Sequence, residues 1–230
     1  MAERIAPRDR QAALRKAVAA LKVFPLHGVV VLPGTPAPFH VFEPRYKALL
    51  GDALRGDRIL AVPSLFGKSD ALALRPPLRA ICGAGYVEAE ERHDDGRYDI
   101  VLRGLARERL LEELPPSKLY PEFKAEVLED VLPAGGVRAL QDELEGLRQL
   151  VYELSTKLPR ESGATQLAEA VAQMKEPSAI VDLVAAAAVS DPEARQRALE
   201  ELDVARRLEL VLEEVAGVVL VLSRGSKPDA

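Results

Sequence analysis

Between Pro133 and Gly136 the spacing of apolar residues changes from two to 3.6, and this change constrains the fold more than any other feature of the chain. Upstream, Tyr98, Ile100 and Leu102 alternate on one face, as do Phe123, Ala125 and Val127. Downstream, Leu140, Leu144, Leu147, Val151, Leu154 and Leu158 form an unbroken helical stripe with acidic residues opposite. Strands followed by helices build two segregated units rather than a doubly wound sheet. Several short strands at this spacing predict a closed or strongly curled sheet. The expected class is α+β: a curled or barrel-like β-domain with one early helix, then a helical bundle.

The expected boundaries are a helical or flexible leader at 1–21, a β-rich domain at 22–132, a bundle at 137–222 and a flexible tail at 223–230. The leader carries a weak apolar stripe at Leu14, Val18 and Leu21. In the β half, apolar runs at 24–32 and 39–42 read as strands on either side of Pro33-Gly34, a pair suited to a type II turn. Pro44 suits the first turn of a helix, whose Tyr46, Leu49, Leu50, Ala53 and Leu54 share one face. Residues 58–65 read as a strand, 79–92 and 97–110 as a hairpin about His93-Asp94-Asp95-Gly96, and 120–132 as a further strand. In the helical half, 163–174 and 178–189 read as short helices. Asp191-Pro192-Glu193 is a strong helix start, with a capping Asp and Pro in the first turn. A last long helix carries Val204, Leu208, Val211, Val215, Val218, Val219 and Leu222.

Chemistry is sparse. One cysteine, Cys82, excludes an internal disulfide and an all-cysteine zinc site, and it reads as a small apolar residue. His27, His40 and His93 are far apart in sequence, with no His-x-x-x-His or Cys/His cluster, so no metal and no cofactor are expected. No serine has a Gly-x-Ser-x-Gly context. Gly67-Lys68-Ser69 fails as a phosphate loop because Val62 stands where its first glycine belongs, and 67–70 reads as a plain loop. Arg103-Gly104 inside a strand pattern predicts a bulge or a close backbone approach. Net charge is −5, and residues 137–222 hold nine Lys/Arg against sixteen Asp/Glu, a balance that repels phosphate backbones. No apolar run approaches the ~20 residues that span a bilayer, and no secretory signal is visible, so the cytoplasm is the expected compartment.

Phe24-Pro-Leu-His-Gly-Val-Val-Val-Leu-Pro-Gly34 with Phe39-His-Val-Phe-Glu-Pro-Arg-Tyr46 resembles the N-terminal domain of Lon proteases, stand-alone bacterial relatives above all. Asp95-Gly-Arg-Tyr98, Leu102-Arg-Gly-Leu105 and the segment from Ala198 to Leu208 extend the likeness over about residues 22–222. Ala37 and Pro38 depart from it, standing where larger apolar residues are common. The resemblance implies a PUA-like β-domain and a helical bundle that recognise protein substrates, with ATPase and protease domains lying elsewhere in full-length relatives. This chain ends at Ala230 with no phosphate loop, so a non-catalytic module is expected, possessing no enzyme activity and binding unfolded or exposed polypeptide as an adaptor or accessory to proteolysis.

The residues expected to bind are His40, Phe42, Glu43, Arg45, Tyr46 and Arg103. Two other readings remain open. One is a hydrolase using His40, Glu43 and Arg45, which requires those side chains to converge. The other is an RNA-binding PUA-like protein, which requires a basic stripe from Arg75, Arg79, Arg103, Arg107 and Arg109. A small-ligand pocket would need an aromatic cage, and the chain has no Trp.

Overall fold

The computed structural model describes residues 7–65 and 77–225. The first six residues, the loop expected at 67–70, Arg75 and the tail residues 226–230 lie outside the described residues. By its internal contacts the chain divides into one unit ending at Glu129 and another beginning at Asp130.

Among the described residues the first unit holds six strands: β1 (Leu21–Lys22), β2 (Pro36–Val41), β3 (Ile59–Val62), β4 (Ile81–Arg92), β5 (Tyr98–Glu113) and β6 (Glu122–Leu128). They pair antiparallel in the order β1-β6-β5-β4-β3, with β2 also on β5. The 16-residue β5 is long enough for two partners on one edge: β2 takes residues 98–103 and β6 takes 107–113. Register shifts at Ala84/Gly85 and Val87/Ala89 bend the β4–β5 hairpin. Among the described residues, the chain just after β1 meets β3 and the residues that follow it through isolated parallel bridges, Val23 to Ala61 and Leu26 to Ser64. The expected curl is therefore present.

Two apolar clusters fill this unit. Helix α2 (Pro44–Arg55) adds Tyr46, Leu49, Leu50 and Ala53 to a cluster with Phe24, Val31, Ile100 and Leu102. Helix α1 (Pro7–Ala17) adds Leu14 and Ala17 to a second, with Ile59, Cys82, Tyr86 and Leu110. The leader's stripe is split: a short 3-10 turn at Val18–Ala20 ends the helix, and Leu21 is buried as the first residue of β1.

The strand expected at 24–32 does not form. Pro25 cannot donate to a ladder and Gly28 takes φ 63°, so the segment runs as extended chain tied only at its start. It still reaches the core, because Val31 and Leu32 cross the sheet at close range. A Cβ on Gly83 would lie 1.8 Å from the Val31 carbonyl oxygen, and one on Gly104 would lie 2.1 Å from that of Leu32. The type II turn at Pro33-Gly34 is present, with Gly34 at φ 76° and Thr35 N–H donating to Leu32 O at 3.2 Å. Around Gly104 both expectations hold, since the bulge residue is the adjacent Leu105.

The second unit contains α3 (Gln141–Lys157), α4 (Ala164–Gln173), α5 (Pro177–Ala188), α6 (Pro192–Glu200) and α7 (Val204–Gly225). Asp191 caps α6, accepting from the amides of Glu193 at 3.2 Å and Ala194 at 3.1 Å. The segment from Ala198 to Leu208 is broken rather than continuous. Asp203 caps α7 through Ala205 N–H at 2.9 Å, and Val131 bonds across the break to Leu202 and Val204. Arg207, fully buried, binds Asp130 Oδ1 at 2.8 Å, Ser178 Oγ at 2.8 Å and Glu201 O at 2.9 Å, with Asp182 at 3.4 Å. Among the described residues no helix is long and apolar enough to cross a membrane.

Candidate functional site

Strand alternation decides which way β2 presents its side chains. Ala37, Phe39 and Val41 turn toward the core, so Pro36, Pro38 and His40 turn outward. On β5 the same logic buries Ile100 and Leu102 and turns out Asp99, Val101 and Arg103. The registers His40 to Asp99 to Glu91, and Pro38 to Val101 to Ala89, line these outward residues up across β2, β5 and β4. The result is an open groove of about 490 Å³, with an apolar floor of Pro38, Val101 and Ala89 and an acidic flank of Glu90, Glu91 and Asp99. Phe42, just beyond β2, is 58% exposed and stacks on His40 with ring centroids 6.0 Å apart.

The outer edge of β2 is a poor template for strand addition. Gly104 donates to Thr35 O and accepts from Gly34 N–H, both at 2.9 Å, so the even-numbered residues of this part of β5 face β2. Ala37, Phe39 and Val41 return those bonds. Pro36 and Pro38 therefore stand where N–H groups would point off the sheet, and neither has one to offer. A partner on this face meets side chains, not a free ladder.

The histidines, separate in sequence, are brought together. His40 Nδ1 lies 2.6 Å from Asp99 Oδ1, and His93 Nε2 lies 2.7 Å from Asp99 Oδ2. The rings are 6.1 Å apart, and Arg97 Nη1 stands 3.4 Å from His40 Nε2. Hydrogen bonds from His40 and His93 hold the Asp99 carboxyl below the ordinary carboxylate range. His40, His93 and Asp99 each offer one ligand atom within 4.8 Å of the others, which corrects the expectation of isolated histidines. His93, at the start of the expected hairpin turn, is half-buried rather than free in solvent. Its amide closes a three-residue loop by bonding Arg97 O at 2.9 Å, with Gly96 at φ 77°, and this loop aims the ring at Asp99.

The other expected residues scatter. Glu43 Oε2 is taken by Arg45 Nε at 2.9 Å, and Arg45 lies over the Tyr46 ring at 4.4 Å. Tyr46 is a core residue whose hydroxyl donates to Pro25 O at 3.4 Å, and burial raises its phenol above the usual range against the pull of Arg45. Arg103 holds Glu88 at 2.9 Å and Gly34 O at 3.1 Å, which straps the 33–34 turn to the β4 bulge. Partial burial would raise the Glu88 carboxyl, but Arg103 and Arg10 together outweigh it and lower it.

Neither open alternative is favoured. His40 pairs with Asp99 while Glu43 pairs with Arg45, so the hydrolase trio forms separate pairs. No hydroxyl or thiol among the described residues is hydrogen-bonded to either imidazole. Arg103 and Arg109 are paired with Glu88 and Glu126, and Arg107 is buried, so these arginines form no open basic stripe.

A profile of the ATP-dependent protease La (LON) substrate-binding domain matches residues 20–217. Among curated proteins, the Lon protease of Anaeromyxobacter dehalogenans (strain 2CP-C) is 29% identical over 214 residues, covering 92% of this chain and 25% of the relative. That of Salinispora arenicola (strain CNS-205) is 30% identical over 198 residues, covering 85% and 23%. The chain thus spans about a quarter of the length of the curated relatives it matches. Among solved structures, the N-terminal domain of the Mycobacterium avium complex Lon protease superposes with a TM-score of 0.67 at 17% identity, covering 86% of this chain and 98% of that one. A Lon N-terminal domain protein from Xanthomonas campestris gives 0.57 at 23% identity, covering 84% and 97%. These likenesses carry the fold, and the profile spans residues of both the curled-sheet unit and the helical unit. The chain belongs to the LON substrate-binding domain family.

Proposed function

We propose that this chain recognises exposed apolar segments of polypeptides on the outer face of β2, β5 and β4, with no catalytic step of its own, and that it does so in the cytoplasm as an accessory to proteolysis. The observation that carries this reading is the open groove floored by Pro38, Val101 and Ala89 with the exposed Phe42 beside it, in a member of a substrate-binding family. A groove with an apolar floor and an exposed aromatic ring at its side offers an apolar side chain of a partner a place to be buried. Glu91 along one flank, beside Asp99 and the Arg58-paired Glu90, favours segments that carry Lys or Arg beside their apolar residues. Of the six residues first expected to bind, His40 and Phe42 belong to this surface. Glu43, Arg45, Tyr46 and Arg103 support it by shaping α2 and the 33–34 turn.

Site-specific photo-crosslinking tests the reading. A crosslinker replacing Phe42 should capture a permanently unfolded polypeptide, and one replacing Tyr152 on α3, also exposed, should not. Equal capture at both positions, or at neither, would sink it.

A further inference from the structure

We propose that His40, His93 and Asp99 form a zinc-binding site at one end of the groove. Two imidazole nitrogens and one carboxylate oxygen are a donor set that Zn²⁺ takes, with a fourth position left for water or another ligand. The three groups arrive on separate strand segments that the sheet holds in register. His40 stands directly opposite Asp99 across β2 and β5, and His93 sits at the end of β4 where the hairpin loop begins. Their ligand atoms already lie within 4.8 Å of one another, so the sheet has gathered the donor set without any change of backbone.

The charge pattern agrees. The register also places Glu91 opposite Asp99 on the other side of β5, a like-charge pair that destabilises an antiparallel ladder. A divalent cation beside Asp99 offsets that repulsion. Each imidazole points the nitrogen nearest Asp99 at the carboxylate, and Zn²⁺ would take the lone pair of that nitrogen while the proton resides on the other. For His40 the other nitrogen faces Arg97 at 3.4 Å, so the guanidinium must turn aside. Arg97 is exposed and is held by Asp95 at 2.6 Å, which lets it pivot about that contact. This inference does not rest on polypeptide recognition and can fail or stand separately.

The test uses the tag-free chain with Zn²⁺ alone, titrated in competition with a chromophoric chelator, and Co²⁺ as a spectroscopic substitute. One equivalent of Zn²⁺ should bind saturably, and Co²⁺ should show the visible bands of a low-symmetry four-coordinate site. His40→Gln and His93→Gln should each weaken binding by ~100-fold or more, since even outer-shell partners are worth 10–100-fold. His27→Gln, which alters an exposed histidine outside the cluster, should leave binding unchanged. Melting curves of the variants identify any that fail to fold, and the Gln replacements keep side-chain length and hydrogen bonding. Absence of one-equivalent binding, or binding that survives the His40→Gln/His93→Gln double substitution, would overturn the proposal.

Discussion

Glu108 is the residue whose environment departs furthest from its chemistry. It is 0% exposed beside Cys82, and neither carboxyl oxygen has a hydrogen-bond partner among the described residues. Burial, aided by the charge of Glu126, pushes its pKa up to about 7 from 4.5. A carboxyl raised in this way favours the folded state most when protonated in both states, below about pH 4.5. That contribution is lost as pH rises toward 7, because the unfolded chain ionises first, and the loss levels off above it. The shift corresponds to about 3 kcal/mol. Glu108→Gln should therefore match the parent at pH 4 and exceed it by up to about 3 kcal/mol at pH 8, read by urea unfolding at both pH values. A constant difference at the two would refute this account. Gly104 is the reverse case, a position where nothing can be added. With the Leu32 carbonyl 2.1 Å from where a Cβ would sit, Gly104→Ala should cost about 3 kcal/mol, at the upper end for overpacking, measured as a lowered unfolding midpoint.

Among the elements, those whose pattern is local were legible in the sequence. The stripe from Leu144 to Leu154, the cap at Asp191 and the turn at Pro33-Gly34 depend on neighbours within four residues, and each is where the spacing places it, whereas at the ends of the expected stripe Leu140 lies in a short 3-10 turn and Leu158 is already extended. Removing the cap with Asp191→Ala should cost about 1 kcal/mol and fray the start of α6, which amide exchange would register. What the local pattern could not show is the ionic centre of the helical unit. Arg207 belongs to the last helix the spacing places from Val204 onward, yet it is buried among Asp130, Ser178 and Asp182 because α5 and the 201–203 break converge on it. Arg207→Met removes the guanidinium that faces the buried Asp182 and the partly exposed Asp130 and should cost about 3–5 kcal/mol in thermal or chemical unfolding. A loss under 1 kcal/mol would mean that the acids find other partners. The run at 24–32 misled for a related reason. Its apolar content specifies burial, while Pro25 and Gly28 deny it a ladder, and burial without pairing is what it adopts.

At the scale of the whole molecule, the groove exists only because β2 pairs with the first half of β5, some 60 residues away in sequence. That pairing turns Pro38 and His40 outward, buries Phe39 and Val41, and brings His40 to Asp99. Nothing local announces it, which is why the motif around 39–46 identified a family and mixed surface residues with core ones. Phe42 stacks on His40 and Tyr46 packs in the core, while the link of His40 to Asp99 and His93 could not be read locally because it runs between distant strands. The central claim is that this face, and not the helical unit, meets polypeptide. Fluorescence anisotropy of a labelled, permanently unfolded polypeptide tests it most directly, comparing the parent with Phe42→Ser and with Leu220→Ser, an exposed apolar residue of α7. The account predicts saturable binding that Phe42→Ser weakens at least ~10-fold, about 1.4 kcal/mol, and that Leu220→Ser leaves intact. Binding lost in Leu220→Ser and kept in Phe42→Ser, or no saturable binding by the parent, would contradict it.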